Sequence, residues 1–461
     1  MNDSMTRRTA LKGAVASLAG IPQARAADRG RQPNVLFILA DDLGYADVSC
    51  YGARDYETPA IDALAATGTK LTQGYANSPV CSPSRIALAT GCYPHRFKLG
   101  LEEPLSPRLK TLSLPSGQPT IATYFRNAGY RTGLIGKWHV GALPANSPLD
   151  FGYDFFLGPM HGGADYFSHR IDVKGNDPAD GLYLGRQRVK RSGYLTDVFA
   201  DEAIRFVREP TVRPFFLSLH FTAPHWPWEG PGDADRSREI TNIIDLDGGS
   251  LKTYMAMMTA LDAAIGRVLG ALDDLDITRD TIVVFTSDNG GERFSDMWPL
   301  TGVKGELLEG GIRVPLVVRW PGRIPAGATS EQVMASFDFL PTLSAATRRP
   351  ATEQGYLGDG IDLLPILTGE RGPVDRTLFW RYKTANQIAA RVGKWKYLHI
   401  EEREYLFDLE NDPRERVQLR HKHSATFNSI RGMCAEWDKS MLPYSDSNYS
   451  ENVKDIYPDR Y

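Results

Sequence analysis

Three short apolar runs constrain this chain more than any other feature. Val35-Leu36-Phe37-Ile38-Leu39-Ala40, Phe215-Phe216-Leu217-Ser218-Leu219-His220 and Thr281-Ile282-Val283-Val284-Phe285-Thr286-Ser287 carry few polar residues. A strand wetted on one face alternates, whereas one buried on both faces reads as a continuous apolar run. Helical patterns lie between them, at residues 59–68, 120–128, 196–208 and 254–272. Pro59 suits a first helical turn after Thr58 as cap. This alternation predicts an α/β fold, a large, mostly parallel sheet sandwiched by helices, over residues 34–348. Gly and Pro thicken at 349–373, where a boundary is expected. Short antiparallel strands at 377–381, 387–392, 395–400 and 404–409 and a helix at 425–438 then predict a smaller C-terminal subdomain over 374–461.

In such sheets ligands bind beyond the carboxyl ends of the strands. Asp41-Asp42 follows the first run, the loop Thr222-Ala223-Pro224-His225-Trp226-Pro227 the second, and Asp288-Asn289 the third. A further short strand at 130–136 leads into Lys137-Trp138-His139. Each group alone has a plain structural explanation: a solvated turn, a snorkelling lysine, a core histidine. Four strand ends delivering polar groups to one edge are harder to explain that way. Asp41, Asp42, Asp288 and Asn289 offer three carboxylates and an amide oxygen, which favours calcium or magnesium over zinc. Arg85, Lys137, His139, His225 and Lys304 add positive donors suited to a small oxyanion.

Arg85 belongs to Cys81-Ser82-Pro83-Ser84-Arg85, which opens a helix ended by Gly91. Cys81 and Arg85 share one helix face, and the N–H groups of a helix start favour an anion. Cys81 alone reads either as a buried core residue or as a nucleophile of lowered pKa.

In order, Asp41-Asp42, Cys81-Ser82-Pro83-Ser84-Arg85, Gly136-Lys137-Trp138-His139, Pro224-His225-Trp226-Pro227, Ser287-Asp288-Asn289-Gly290 and Lys304 resemble the motifs of the type I, arylsulfatase-like sulfatases of the alkaline-phosphatase superfamily. Leu406-Phe407-Asp408-Leu409-Glu410-Asn411-Asp412-Pro413 resembles that family's C-terminal subdomain motif. The resemblance implies a sulfuric ester hydrolase in which Cys81 is oxidised to formylglycine by a formylglycine-generating or anaerobic maturating enzyme. It implies a cation, calcium ahead of magnesium, held by Asp41, Asp42, the modified Cys81, Asp288 and Asn289. A hydroxyl of the formylglycine hydrate would attack sulfur. Arg85 and Lys137 would hold the modified residue, and His225 and Lys304 the sulfate. His225 would protonate the leaving alcohol. His139 would take the proton from the second hydroxyl to expel the covalent sulfate. The loop from His161 to His169 is where such enzymes place variable substrate contacts, so His161 or Asp165 is expected there. Around Gly310-Gly311-Ile312-Arg313-Val314-Pro315 and in overall layout the chain resembles carbohydrate exosulfatases, including galactosamine-sulfate enzymes, which implies a sulfated sugar ahead of an aryl sulfate as substrate. A phosphate or phosphonate monoesterase of the same superfamily and an inactive sulfated-glycan-binding protein are the alternatives.

A net charge of −3 gives no footprint for nucleic acid. Cys50, Cys81, Cys92 and Cys434 lack metal-ligand spacing, and one disulfide among Cys50, Cys92 and Cys434 is open. Arg7-Arg8, an apolar stretch at 13–21 and Ala24-Arg25-Ala26 resemble a twin-arginine signal over residues 1–27. That implies partnership with the Tat export machinery and a periplasmic or secreted protein. No later stretch is expected to be long and apolar enough for a transmembrane helix.

Overall fold

The computed structural model describes residues 32–452, apart from 144–145, 178–179 and 246–247. The twin-arginine segment lies outside the described residues. The three apolar runs form strands β1 (Asn34–Ala40), β7 (Phe215–His220) and β8 (Thr281–Ser287), each buried throughout. With β3 (Arg131–Gly136) they form the middle of an eleven-stranded sheet, in the order β8-β1-β7-β3, all parallel. Successive side chains take opposite faces. Leu36 and Ile38 join one core with α1 (Pro59–Ala66), α4 (Leu195–Arg208) and the long helix Leu251–Asp274. Val35, Phe37 and Leu39 join the other with α2 (Cys81–Thr90), α3 (Ile121–Asn127) and the helix Phe339–Ser344.

Outside this middle the sheet is mixed. β2 (Thr69–Tyr75) has half-buried positions at Lys70, Thr72 and Gln73, and its sequence lacks an apolar run. β9 (Arg313–Arg319) runs antiparallel to both β2 and β8 and starts before Leu316, where the apolar pattern begins. Pro315 is tolerated because it sits where the β2 ladder shifts register and before pairing with β8 starts. β4 (Phe155–Pro159) adds a parallel strand beside β3. β5 (Leu182–Leu184) and β6 (Gln187–Val189) extend that edge, and β10 (Ala328–Ser330) and β11 (Met334–Ala335) pair with β2 at the other.

Two further expectations are corrected. The Thr58 hydroxyl makes no cap bond to α1, because it accepts from Ser49 N at 2.9 Å. The helix Leu251–Asp274 is long and apolar enough to cross a membrane by length and composition, contrary to expectation. Here Met257, Leu261, Ile265 and Val268 are buried in the core beneath the sheet. The four cysteines are all free.

Strands β12 (Thr377–Tyr382), β13 (Gln387–Val392), β14 (Trp395–Ile400) and β15 (Arg403–Asp408) form the antiparallel C-terminal sheet, covered by the helix Ser424–Lys439. The sheet meets the main body through Trp380, whose indole N–H donates to Ala76 O at 2.7 Å. Below it, Lys396 Nζ is fully buried between Glu309 Oε1 at 2.9 Å and Glu415 Oε1 at 2.8 Å. Burial pushes Glu415 up to about 7 despite Lys396, while Lys396 and Arg313 overcome burial and hold Glu309 at about 2. The raised Glu415 contributes stability present below its unfolded value near 4.5 and lost as pH rises through 7. The depressed Glu309 contributes stability present above 4.5 and lost as pH falls toward 2. Tm is therefore expected to fall between pH 5 and pH 8, and less steeply in Glu415→Gln. Parallel thermal-melt profiles of the two proteins check this, and identical slopes would refute the assignment.

Candidate active site

The middle strands carry the polar residues to one edge, as their parallel register requires. Asp41 and Asp42 follow β1, Lys137 and His139 follow β3, His225 follows β7, and Asp288 and Asn289 follow β8. Cys81 opens α2 directly above them, behind Val80, which supplies no side-chain cap to the first turn. Cys81 Sγ lies 3.6 Å from Asp42 Oδ1. Ligand atoms of Asp41, Asp42, Cys81 and His225 all fall within 4.8 Å of one another, and all four residues are buried.

Two cationic clamps flank this cluster. Lys137 Nζ donates to Asp41 Oδ2 at 2.6 Å, and Lys304 Nζ to Asp42 Oδ2 at 2.7 Å. Arg85 Nε donates to Asp288 Oδ2 at 2.8 Å, and its Nη1 to Lys137 O at 3.0 Å. Burial alone raises a carboxyl pKa. At Asp42 this is overcome by Lys304, His225 and Lys137, which hold the carboxyl well below the usual range. At Asp41 burial wins over Lys137 and the pKa rises. Burial also pushes the Cys81 thiol up, against the pull of Lys137 and Lys304.

Two acceptor atoms fit a hard cation. Asp41 Oδ1 and Asn289 Oδ1 are buried and accept no hydrogen bond among the described residues. Asn289 is oriented by its amide N–H, which donates to Asp42 Oδ1 at 2.7 Å and Gly290 O at 2.9 Å. Its oxygen is left to the cluster. An oxygen donor set of three carboxylates and one amide is that of calcium or magnesium.

The histidines are oriented differently. His139 does not continue the strand, since its φ of 56° is left-handed. Its Nε2–H donates to Leu105 O at 2.9 Å, leaving Nδ1 buried and unpartnered. The ring stacks against Gly162, where a Cβ would lie 2.5 Å from His139 Cε1. Burial, then Lys137, lowers the His139 pKa well below 6.5, so the ring is a neutral acceptor. His225 Nδ1–H donates to Trp226 O at 2.6 Å, which turns Nε2 to Asp42 Oδ2 at 3.5 Å. Tyr166 OH braces the His225 carbonyl at 2.9 Å.

His161 is half-buried and close enough for its charge to act on His139. Asp165 is a correction. Its carboxylate accepts from Ser237 Oγ at 2.8 and 2.9 Å and from Phe167 N at 2.9 Å, so it braces the loop. Sequence reasoning missed Glu292, whose Oε1 meets Lys304 Nζ at 2.6 Å, although it lies in the loop of Asp288 and Asn289. It also missed the segment Glu102–Leu105. Leu105 N donates to Ser82 Oγ at 2.7 Å while Leu105 O holds His139, which ties the second residue of α2 to the histidine. No side-chain pattern marks that link.

Known proteins share the sequence pattern and fold of this chain. The family profile named Sulfatase matches residues 33–348, and that for the C-terminal part of N-sulphoglucosamine sulphohydrolase matches 304–433. N-acetylgalactosamine-6-sulfatase of Canis lupus familiaris is 32% identical over 409 residues, covering 83% of this chain and 74% of the relative. Arylsulfatase A of Homo sapiens is 32% identical over 402 residues, covering 79% and 74%. The crystal structure of Ps i-CgsB superposes with a TM-score of 0.81 at 30% identity, over 92% of this chain and 96% of that one, and is also solved with k-i-k-neocarrahexaose. With its parallel sheet, C-terminal antiparallel sheet and buried Asp/Asp/Cys/His cluster, the chain belongs to the type I sulfatases of the alkaline-phosphatase superfamily and is a sulfuric ester hydrolase.

Proposed function

We propose that the protein removes sulfate from sulfated carbohydrates, using a formylglycine hydrate made from Cys81 and a calcium ion. The observation that carries the reading is the position of Cys81 Sγ, 3.6 Å from Asp42 Oδ1 at an uncapped helix start and within the reach of Lys137 and Lys304. Asp41, Asp42, Asp288 and Asn289 would hold the ion, which supplies countercharge to the carboxylates and polarises oxygens beside it. Calcium is favoured over magnesium because a protein-built oxygen cage suits its higher coordination number, whereas magnesium keeps its waters. Oxidation of Cys81 gives an aldehyde, and addition of water to it gives a geminal diol, one hydroxyl for attack on sulfur and a second for release.

The chain's own residues then divide the work. Lys137 and Arg85 hold the nucleophile end and neutralise charge around it. Lys304 and His225 contact the sulfate. Burial lowers the His225 pKa, and Asp42 beside it and the charge of a bound sulfate oppose that, so the ring, pinned through Nδ1, would take up a second proton at Nε2 with the substrate and pass it to the leaving alcohol. His139, with Nδ1 free, takes the proton of the second hydroxyl as sulfate departs. The carbohydrate substrate is supported by the N-acetylgalactosamine-6-sulfatase relatives and the neocarrahexaose bound to Ps i-CgsB. The twin-arginine segment adds an exported, periplasmic or secreted location to this reading.

Intact-mass analysis of protein made with a maturating enzyme should show a loss of about 18 Da localised to Cys81, the difference between thiol and aldehyde. The same preparation should turn over galactose or N-acetylgalactosamine monosulfates faster than the matching phosphates. An unmodified Cys81 in fully active protein would exclude formylglycine, and activity confined to phosphates would exclude the sulfated-sugar reading.

A further inference from the structure

We propose that Arg54, Trp298 and Arg414 form an outer subsite for a second anionic sugar, a sulfate- or carboxylate-bearing residue in the same oligosaccharide as the one whose ester is hydrolysed. The protein would thus act on chains of sulfated sugars ahead of single ones. This rests on the carbohydrate reading above. The three side chains come from distant parts of the sequence. Arg54 lies in the loop between β1 and α1, Trp298 in the loop between β8 and β9, and Arg414 in the C-terminal subdomain after β15. Arg54 Cζ is 5.3 Å from the centre of the Trp298 ring, and Arg414 Cζ is 4.5 Å from it. Trp298 is 48% exposed, and of the described tryptophans it alone is exposed.

The charge of this group is not neutralised. Neither guanidinium makes a hydrogen bond or an ion pair among the described residues, and Arg414 Nε is buried without an acceptor. Arg96 and Arg267, by contrast, meet aspartates at 2.6 and 2.7 Å. An aromatic ring attracts a guanidinium through its quadrupole and leaves the charge and the N–H groups for another partner. A guanidinium takes a sulfate or carboxylate through two parallel N–H···O bonds. The indole N–H of Trp298, which has no partner among the described residues, adds a donor for a sugar oxygen. A single sugar monosulfate spends its one anion on Lys304 and His225 and has none left for the arginines.

The group belongs to the loops that carry the active site. The loop of Trp298 begins with Asp288 and Asn289, and the six residues from Trp298 to Lys304 span at most about 20 Å. A short oligosaccharide covers that distance. Asp296 N donates to Asp47 Oδ1 at 2.8 Å and Ala46 N to Asp296 O at 2.8 Å, which ties this loop to the one that carries Asp41 and Asp42. Trp298 N donates to Asp296 Oδ1 at 2.7 Å, and Thr301 Oγ1 to Arg414 O at 2.7 Å. Trp298 is thus fixed on both sides, and ordering the subsite costs little on binding.

The test uses full-length, converted enzyme, its Arg54→Ala/Arg414→Ala double variant and Trp298→Ala. The substrates are the sulfated galactan or galactosaminoglycan hexasaccharide turned over fastest, the monosulfated sugar matching its cleaved residue, and 4-nitrophenyl sulfate. In the double variant kcat/KM on the hexasaccharide should fall about tenfold, mainly through KM, while both small substrates stay within about twofold of wild type. Trp298→Ala should lose about threefold on the hexasaccharide, because the guanidiniums remain but are no longer held. Titrated with the same hexasaccharide, Cys81→Ala protein should bind about tenfold more weakly when both arginines are also replaced. An unchanged hexasaccharide kcat/KM in a double variant with wild-type Tm overturns the subsite, as does an equal loss on the hexasaccharide and the monosulfated sugar. Wild-type turnover of 4-nitrophenyl sulfate with none of any sugar sulfate would overturn the carbohydrate reading itself, and this proposal with it.

Discussion

Cys81→Ala should lose at least about 10³-fold in kcat on any sulfate ester while keeping the fold. Cys81→Ser should fail to the same degree, because a single hydroxyl cannot both carry the sulfate and expel it. The fold is expected to survive because Sγ contributes little packing. Removing one buried sulfur from a helix start leaves a small cavity, worth about 1–2 kcal/mol. The neighbouring pairs, Lys137 with Asp41, Lys304 with Asp42 and Arg85 with Asp288, do not involve the sulfur. Turnover of 4-nitrophenyl sulfate measured beside a thermal melt separates the two effects. Activity within tenfold of wild type in either variant would remove Cys81 from the chemistry.

Lys396→Met should be the most damaging substitution far from the chemistry. Lys396 is the shared counter-charge of Glu309 and Glu415, and all three side chains are fully buried. Removing one partner leaves two carboxylates facing each other without water, which costs about 3–5 kcal/mol. If the described body melts as one cooperative unit, Tm drops by about 3–6 °C. Adding Glu415→Gln should return part of the loss, since one of the stranded charges is then gone. A Tm within 1 °C of wild type (about the resolution of a melt) in the single variant would contradict the expected role.

What was legible in the sequence follows from burial. Strands β1, β7 and β8 are dry on both faces, so their apolar runs were unmistakable, and the charged residues after them stood out against that background. β2 escaped because its partly wetted positions break the run, and β4 because Gly158 and Pro159 weaken the pattern of a strand that pairs for three residues. The helix starting at Cys81 was legible from Pro83 and Gly91. The second carboxylate on Lys304, Glu292, was not, because it belongs to no periodic element. Its placement depends on how the loop after β8 is tied down, with Lys304 N donating to Gly291 O, a backbone hydrogen bond that any residue type could make. The left-handed turn at His139 was likewise hidden, since a non-glycine residue gives no warning of a positive φ.

Cys81 is 1% exposed, and the groups around it come from distant parts of the chain, with Asp41 first and Lys304 last. A ribosome adds about 5–20 residues each second, so about ten to forty seconds separate the emergence of Cys81 from that of Lys304. The enclosing sheet joins distant segments, and such pairings form late. For a maturating enzyme the thiol is therefore open only during synthesis and the interval before the sheet closes. Anything that hastens folding, such as a stabilised core, or that limits the maturating enzyme relative to translation, would yield well-folded protein that is chemically silent.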